Sequence, residues 1–484
     1  MKHEILNLQP EKVWKYFYDI CQIPRPSKKE EKIIAYLMDT GKKLGLKTEK
    51  DEIGNVLISK PATKGKEKVT PVIFQSHMDM VCEKNKDVVF DFDKDPIQPY
   101  IDGEWVKAKG TTLGADDGIG MAIALAILED KTIEHGPVEC LFTVDEETGL
   151  TGAFELKTNW LKGKMLLNLD SEDEGQFFIG CAGGKSTTAT IDFKKEKLPS
   201  NASPFLIKVK GLKGGHSGDD INKELGNAVK ILNRILYDGT FKYDASLATI
   251  DAGNLHNAIA REGSALVMIP NAKKEEFIRY IKEFDAIVKE ELKISDTDVE
   301  VQIEASKNPE FVIDEFTQCD LVEALYACPH GVLAMAQDIE NFVETSTNLA
   351  SVKMINNQIK VVTSQRSSVE SKKEDACNMV ASVFNLMNAE VEHSEGYPGW
   401  TPNPNSEVLT VLKQAYLNLF KKEPLVLAIH AGLECGLIGE KYPKMDMISY
   451  GPTLRGVHSP TERLLIKTVK EVWDLTVEFL RIVQ

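Results

Sequence analysis

Hydrophobic and polar positions alternate along the first 185 residues in a pattern that predicts an α/β fold. Apolar residues recur at helical spacing over residues 11–21, 30–44 and 118–130. Between these helices lie apolar runs typical of buried strands, VTPVIFQSHMDMV, VECLFTVDEETG and KMLLNLDSED, and each run continues into charged residues. Ligands collect at the carboxyl ends of strands in open α/β sheets, so we expect a functional site there.

The pattern changes after residue 185, where helices and strands alternate twice up to residue 394. The first series runs from SPFLIKVKGL to VEVQIEA and the second from LVEALYAC to AEVEH. The Pro- and Gly-rich segment GYPGWTPNPNS follows as a linker, and the tail returns to the first pattern. The sequence therefore predicts a discontinuous α/β domain, residues 1–185 and 395–484, with a mixed sheet flanked by helices. Residues 186–394 form an inserted α+β domain with two similar halves.

Composition narrows the class of protein. The chain has 484 residues and a net charge of -16, which disfavours binding to nucleic acid or to anionic membranes. We find no signal-peptide pattern at the N-terminus and no apolar run of ~18 residues that could span a membrane. The eight cysteines form no CxxC pair. A cytoplasmic protein with reduced thiols is expected.

Charged residues at the strand ends carry the candidate chemistry. His77 and Asp79 lie two positions apart on a strand and so face the same side, which would let Asp79 orient a metal-binding imidazole. An HxD pair alone is weak evidence, because most such pairs are surface polar residues. Asp116 and Asp117 stand between a glycine-rich turn and an apolar helix, where they could cap the helix or bridge metal ions.

Three more carboxylates, Asp145 to Glu147, end the next strand. A solvated loop would explain them, but at a buried strand end they repel one another unless cations compensate, and alternation suits Glu147 as a ligand and Glu146 as a general base. Asp170 ends the third strand, and His458 follows a strand near the C-terminus. Two histidines and three carboxylates suit zinc or a related divalent ion, in the arrangement of two-metal hydrolases.

These motifs together resemble a known family. SHMDM, GTTLGADDG, DEETGLTGA, NLD and GVHSP, in this order, are similar to the zinc amidohydrolase superfamily of aminoacylase, carboxypeptidase G and peptidase T. CAGG, GLKGGHSGDDI and YGPTLRGVHSPTER resemble its Xaa-His dipeptidase branch, and the resemblance spans nearly the whole chain. It implies two zinc ions per chain, with cobalt or manganese as alternatives, and a cis peptide bond between Asp116 and Asp117. It also implies the metal-site roles: His77 and Asp170 on one ion, Glu147 and His458 on the other, Asp116 bridging, Asp79 orienting, and Glu146 shuttling the proton.

The resemblance further implies hydrolysis of dipeptides, Xaa-His and others, by zinc-bound hydroxide. His216 in the inserted lid domain would stabilise the oxyanion, while Asn257 and Arg366 would hold the substrate. The alternatives are that Asn257 caps a turn and that Arg366 forms a surface ion pair. An N-acyl amino acid deacylase or an aminotripeptidase would share the metal residues. An inactive relative would lack some of them, and none is missing here.

The positions of the lid residues bear on subunit organisation. His216 and Asn257 fall in the first half of the inserted domain, and Arg366 falls in the second half. In relatives with a single small lid, the corresponding histidine and asparagine come from the partner chain and the arginine from the same chain, so the resemblance implies that the first half is a built-in partner lid. This arrangement would require the two halves to form one continuous sheet, with hinges near residues 185 and 394. One chain would then hold a complete site for small peptide substrates. A homodimer could form but would not be needed for the chemistry.

Overall fold

The computed structural model describes residues 3–337 and 339–484, which form two compact units. The first unit comprises the residues up to Cys181 together with Trp400–Ala428 and Leu433–Gln484. The second unit comprises Ala182–Gly399 and Ile429–Gly432. The sequence placed these boundaries at 185/186 and 394/395. Within the described ranges, none of the helices is both long and apolar enough to cross a membrane.

The secondary structure follows the predicted alternation closely. The helices are α1 (Glu11–Cys21), α2 (Glu31–Lys43), α3 (Ala115–Glu129), α4 (Glu146–Gly149), α5 (Thr151–Phe154), α6 (Ala228–Tyr243), α7 (Lys274–Glu291), α8 (Glu315–Ala327), α9 (Glu370–Asn385), α10 (Glu407–Phe420), α11 (Glu434–Lys441) and α12 (Ile466–Ile482), after a 3₁₀ turn at Glu4–Asn7.

The strands form two large sheets and two small ones. They are β1 (Lys47–Lys50), β2 (Val56–Lys60), β3 (Val72–His77), β4 (Pro99–Asp102), β5 (Trp105–Ala108), β6 (Val138–Thr143), β7 (Met165–Asn168), β8 (Gln176–Cys181), β9 (Gly183–Asp192), β10 (Lys195–Glu196), β11 (Ala202–Lys210), β12 (Ser246–Gly253), β13 (Gly263–Pro270), β14 (Glu300–Ala305), β15 (Val312–Ile313), β16 (Gly331–Met335), β17 (Val343–Ile355), β18 (Gln358–Ser367), β19 (Glu390–His393), β20 (Leu425–Ile429), β21 (Asp446–Ser449), β22 (Leu454–Arg455) and β23 (Arg463–Leu465).

An eight-stranded mixed sheet forms the centre of the first unit, in the order β1-β2-β6-β3-β7-β21-β8-β20. Its middle strands β6, β3, β7 and β21 are parallel, and β3 and β6 are buried at every position. Continuous apolar runs are expected for parallel strands covered on both faces. The almost wholly buried helix α3 packs against β3 and β6. The predicted α/β fold is confirmed, and the four parallel strands end at one edge of the sheet.

The second unit is built on an antiparallel sheet in the order β14-β11-β13-β12-β17-β18-β9-β19, with β16 paired to β17. The pairing of β12 with β17 joins two four-stranded halves, so the expected continuous sheet is confirmed. One detail of the halves is different from the prediction. Strand β9 pairs with β18 along its whole length and belongs to the second half, although it precedes the first half in sequence. Its small and polar residues, GGKSTTATID, give a weak apolar signal.

Helix α6 illustrates how local sequence sets an element of the second unit. The side chain of Asn227 accepts hydrogen bonds from the amides of Val229 and Lys230, which satisfies two donors at the helix start. The apolar face of α6 is buried in the core beside α7 and α8, with Leu232 and Ile235 fully buried. The helix ends where Asp244 adopts the left-handed conformation.

Candidate metal centre and active site

The parallel strands bring the candidate ligands to one edge of the sheet. His77 is the last residue of β3 and lies in register with Thr143 at the end of β6. Glu147 and Asp170 follow β6 and β7 within a few residues. His458 lies in the turn between β22 and β23, the hairpin of a separate four-stranded sheet. Residues far apart in sequence therefore meet because the strand ends meet.

The first ligand group consists of His77, Asp116 and Asp170. The Nε2 atom of His77 lies 3.0 Å from Oδ1 of Asp116 and 3.4 Å from Oδ1 of Asp170. His77 is 1% exposed, and the two carboxylates are largely covered. One imidazole nitrogen and two carboxylate oxygens thus converge on a single point at the carboxyl ends of β3 and β7.

The second ligand group consists of Asp116, Glu147 and His458. The Nε2 atom of His458 lies 3.1 Å from Oδ2 of Asp116 and 3.0 Å from Oε2 of Glu147. The two oxygens of Asp116 therefore face two different histidines, Oδ1 toward His77 and Oδ2 toward His458. A carboxylate in this position can bridge two cations.

Asp79 contacts members of both ligand groups without belonging to either. Its Oδ1 accepts a hydrogen bond from the amide of Glu146 at 3.0 Å and faces Nδ1 of His77 at 3.3 Å. Its Oδ2 accepts from the hydroxyl of Ser27 at 2.7 Å and from the amide of Glu147 at 3.2 Å. Burial alone would raise the pKa of Asp79. The contact with His77 and these hydrogen bonds outweigh burial and lower the pKa below its ordinary value, to about 2. A buried, ionised carboxylate therefore holds the imidazole and the two glutamates in place.

The two roles proposed for the Asp116–Asp117 pair, metal bridging and helix capping, fall to different residues. Asp116 faces the histidines, whereas Oδ1 of Asp117 accepts a hydrogen bond from the amide of Gly120 and caps the first turn of α3. The peptide bond between the two aspartates is cis, as the resemblance implied. Asp145 has a structural role too, because its carboxylate accepts hydrogen bonds from the hydroxyls of Thr148 and Thr151.

The electrostatics of the site call for cations. Hydrogen bonds to Asp116 and Glu147 raise the pKa of His458 to about 11. Burial lowers the pKa of His77, but Asp170 and the other carboxylates around it raise the value well above the usual range. Burial, together with the neighbouring carboxylates, raises the pKa of Glu146 and Asp170 well above normal. The cluster thus holds excess negative charge.

The donor set also fits divalent ions. Oε1 of Glu147 is buried and has no hydrogen-bond partner in the described part of the chain. Imidazole nitrogens mixed with carboxylate oxygens are the ligands that zinc prefers, and related transition metals accept them. Two cations shared through Asp116 would neutralise the charge and use these oxygens.

Sequence reasoning missed a buried polar network beneath the ligand groups. Oε2 of Glu434, the first residue of α11, accepts hydrogen bonds from Gln75 at 2.6 Å and from Thr143 at 2.8 Å. Gln75 accepts from Asn168 at 2.6 Å, and Asn168 accepts from Ser449 at 2.5 Å. The network therefore links the ends of all four parallel strands. Polar residues at the ends of otherwise apolar strands were the available signal.

The second unit brings together His216, predicted to stabilise the oxyanion, and Arg366, predicted to bind the substrate. Arg366, at 5% exposure, donates to the hydroxyl of Tyr397 at 2.8 Å and to Oγ of Ser217 at 3.3 Å, and its Nη2 lies 3.4 Å from Nε2 of His216. The surface ion-pair alternative for Arg366 is therefore wrong. Its guanidinium is held in a fixed orientation beside an imidazole, and Tyr397 is a further residue that the sequence did not single out.

Asn257 lies on the neighbouring loop. Its backbone carbonyl accepts a hydrogen bond from the amide of Ser217 at 2.9 Å, and the side chain is exposed. His216 and Ala258 form an isolated β-bridge, which ties this loop to the His216 loop. His216, Arg366 and the Asn257 loop therefore belong to one local structure within the second unit.

A second histidine of this unit, His430, also escaped the sequence analysis. Its Nε2 lies 2.7 Å from Oγ of Ser346, and its ring packs edge-on against Phe342. Burial lowers the pKa of His430, and the positive charge of Arg366 lowers it further, to about 3. His430 is therefore a neutral hydrogen-bonding group near neutral pH.

Two ligand groups that share one aspartate, at the carboxyl ends of parallel strands, define a candidate two-metal centre of the kind found in hydrolases. The chain belongs to the peptidase family M20/M25/M40, whose family model matches residues 73–481.

Individual relatives extend this similarity over the whole length. The chain is 42% identical to the cytosol non-specific dipeptidase of Escherichia coli, over 99% of each protein. It is similar to the crystal structure of aminoacylhistidine dipeptidase from Vibrio alginolyticus, with a TM-score of 0.93, 43% identity, and coverage of 100% of this chain and 99% of that one. A tripeptidase from Staphylococcus aureus matches with a TM-score of 0.58 and 17% identity, covering 98% and 99%, and shares the fold.

Proposed function

We propose that this chain is a metal-dependent dipeptidase that hydrolyses unblocked dipeptides, Xaa-His and others. The observation that carries the proposal is the position of Asp116, whose two oxygens face His77 and His458. The Escherichia coli and Vibrio alginolyticus relatives, both dipeptidases by name, support the substrate class. The tripeptidase shares only the fold, so it does not favour the aminotripeptidase alternative.

The first ligand group would hold one divalent ion and the second ligand group the other, with Asp116 shared. Zinc fits the donor set best, and cobalt or manganese are the alternatives. When bound, the ions supply Lewis-acid polarisation of the scissile carbonyl and lower the pKa of water.

The residues of the first unit supply the proton chemistry. Asp79 keeps His77 in one orientation and fixes the backbone of Glu146 and Glu147 through their amides. Glu146 then takes a proton from the attacking water and donates it to the leaving amine. Glu146 must begin ionised for this role, and the cations, when bound, would offset the burial that raises its pKa in the metal-free site.

The residues of the second unit would recognise the substrate. We assign His216 to the developing oxyanion, to which its imidazole would donate a hydrogen bond. Arg366 would bind the substrate carboxylate, because its guanidinium is a bidentate donor already oriented by Tyr397 and Ser217. Asn257 would contact the substrate from its exposed position. Nothing beyond a small peptide is required as a partner, and we expect the reaction to take place in the cytoplasm.

A substrate panel tests the proposal. Protein stripped of metal and then reconstituted with zinc, cobalt or manganese is assayed against dipeptides that include alanyl-histidine and β-alanyl-histidine. Alanyl tripeptides and N-acetyl amino acids serve as competing substrates, and the stripped protein serves as the control. We expect dipeptide hydrolysis that depends on metal. Preferential release of acetate would identify a deacylase, and preference for tripeptides an aminotripeptidase; either would refute the proposal.

A further inference from the structure

Glu462 gathers an unusual number of backbone donors on one carboxylate. Its Oε2 accepts from the amides of Leu113 at 2.7 Å and Gly114 at 3.0 Å. Its Oε1 accepts from the amides of Ala115 at 2.8 Å and Asp116 at 3.4 Å. The side chain is 3% exposed, so water cannot replace these contacts. Four consecutive amides are thus oriented by a single buried residue.

The 113–116 turn depends on such an acceptor. Gly114 has φ of 68°, the left-handed region that favours glycine, and the turn leads directly into α3. Amides at a helix start lack partners within the helix. The side chain of Arg25 donates a hydrogen bond to the carbonyl of Gly114. Two buried charged residues, Glu462 on the amides and Arg25 on a carbonyl, therefore fix the backbone that leads to Asp116.

Glu462 also belongs to the turn that carries His458. The hydroxyl of Ser459 donates to the carbonyl of Gly456 at 2.7 Å, and the amide of Glu462 donates to the carbonyl of Ser459 at 3.0 Å. These bonds close the turn on itself, and Glu462 stands at its base. One side chain thus connects the segments that supply Asp116 and His458.

The two ligand groups differ in what supports them. In the first group, His77 ends strand β3 and Asp170 follows β7, both in the large sheet. In the second group, His458 is 53% exposed and lies in a turn. His77 and Asp170 can keep their positions through the sheet, and only the shared Asp116 links the first group to Glu462. The second group has Glu462 as the direct connection between two of its three members, Asp116 and His458.

We propose that Glu462 is a positioning residue for the second ligand group and keeps Asp116 and His458 at a common distance for the metal ion. This inference rests on the proposed two-metal function. A side chain of the same shape could not replace Glu462, because the four N–H donors need two acceptor oxygens. Glutamine fills the same space, yet its NH₂ group would face at least one of these donors. The isosteric substitution should therefore be nearly as harmful as alanine.

Metal titration of Glu462→Gln against a competing chelator tests the proposal without reference to activity. Wild-type protein should bind two zinc ions. In the variant the ion of the second ligand group should lose about 10–100-fold in affinity, the usual effect of removing a residue that supports metal ligands. The other ion depends on Glu462 through Asp116 alone and should lose less. The more weakened ion should be the one lost in His458→Ala, so the double variant should bind its remaining ion nearly as His458→Ala does. The proposal is overturned if the variant binds both ions as tightly as wild type does, or if the variant binds both ions more weakly by the same factor.

Glu139→Gln is a control for the loss of a buried negative charge away from the ligand groups. Glu139 is 6% exposed and accepts from the amides of Lys162 at 2.8 Å and Gly163 at 2.9 Å, near the start of β6 and away from the ligand groups. It should keep both ions; if it loses one as Glu462→Gln does, the specific role of Glu462 is refuted.

A second measurement needs no variant. In metal-free wild type, the amides of Leu113, Gly114 and Ala115 should exchange slowly with solvent because Glu462 holds them. Rapid exchange would overturn the inference even if Glu462→Gln fails to fold. Wild-type protein that binds two ions but hydrolyses no dipeptide would refute the proposed function and leave the titration result for Glu462 standing.

Discussion

Replacing Asp79 by asparagine should weaken metal binding strongly while destabilising the metal-free fold only modestly. The substitution keeps the size of the side chain and removes one acceptor oxygen and the negative charge. Asparagine could place its oxygen toward the amide of Glu146 and its NH₂ group toward Ser27, whose hydroxyl can rotate and accept. The NH₂ group would then face the amide of Glu147, which now bonds to Oδ2 at 3.2 Å. The opposite orientation would turn the NH₂ group toward the amide of Glu146, which now bonds to Oδ1 at 3.0 Å.

The structure sets the size of the effect. One buried backbone donor is left without an acceptor, which costs about 1–3 kcal/mol in the free energy of unfolding. In the first orientation the displaced amide belongs to Glu147, a member of the second ligand group, and in either orientation Nδ1 of His77 faces a neutral amide group in place of a carboxylate. Residues in this supporting position typically change metal affinity or activity by about 10–100-fold. We therefore expect a modest loss of stability in metal-free protein and a large loss of zinc affinity and turnover.

Asp51→Asn provides the control. Asp51 is 8% exposed; its Oδ1 accepts from the amides of Gly54 at 2.9 Å and Asn55 at 2.8 Å, and its Oδ2 accepts from the side-chain amide of Asn55 at 2.8 Å. Its substitution should destabilise metal-free protein to a similar degree in urea unfolding but leave zinc affinity and kcat unchanged. The reasoning is refuted if Asp79→Asn keeps zinc affinity and kcat within about twofold of wild type, or if Asp51→Asn loses them equally.

Three further predictions follow from the same geometry. Glu146→Gln should retain both ions by metal analysis and lose most turnover, because only the proton shuttle is removed; near wild-type kcat would show that another group is the base. The folded-state pKa of His430, about 3, lies below its unfolded value of ~6.5, so this residue contributes stability above pH 6.5 that is lost as the pH falls toward 3. In unfolding experiments with chelator, His430→Gln should lower the slope of stability against pH by about 1.4 kcal/mol per pH unit in that window, and an unchanged slope would contradict this. Mixed His216→Ala and His458→Ala chains should stay inactive after subunit exchange, whereas recovered activity would mean that His216 serves a neighbouring subunit.

The sequence predicted the positions of the elements well because the first unit has strong apolar patterns. The run GIGMAIALAILED and the strand VECLFT are buried almost throughout, and such segments leave little choice of structure. The ligand groups were accessible to prediction for the same reason, since charged residues directly after buried strands must meet at the sheet edge. Strand β9 was harder to place, because its alternating small residues gain their position from pairing with β18 and not from an apolar pattern of their own.

Residues that act through backbone contacts left no such signal. Glu462 lies between a histidine turn and a strand in a stretch rich in polar residues, where a glutamate usually faces solvent. Its role arises because the β22–β23 hairpin brings it against the start of α3, more than 300 residues earlier in the chain. Glu434 is hidden in the same way, since Gln75 and Thr143 reach it only after the sheet has formed. A ligand can be inferred from its own chemistry and its place at a strand end. A positioning residue is defined by the partner that folding brings to it, and a single sequence does not contain that pairing.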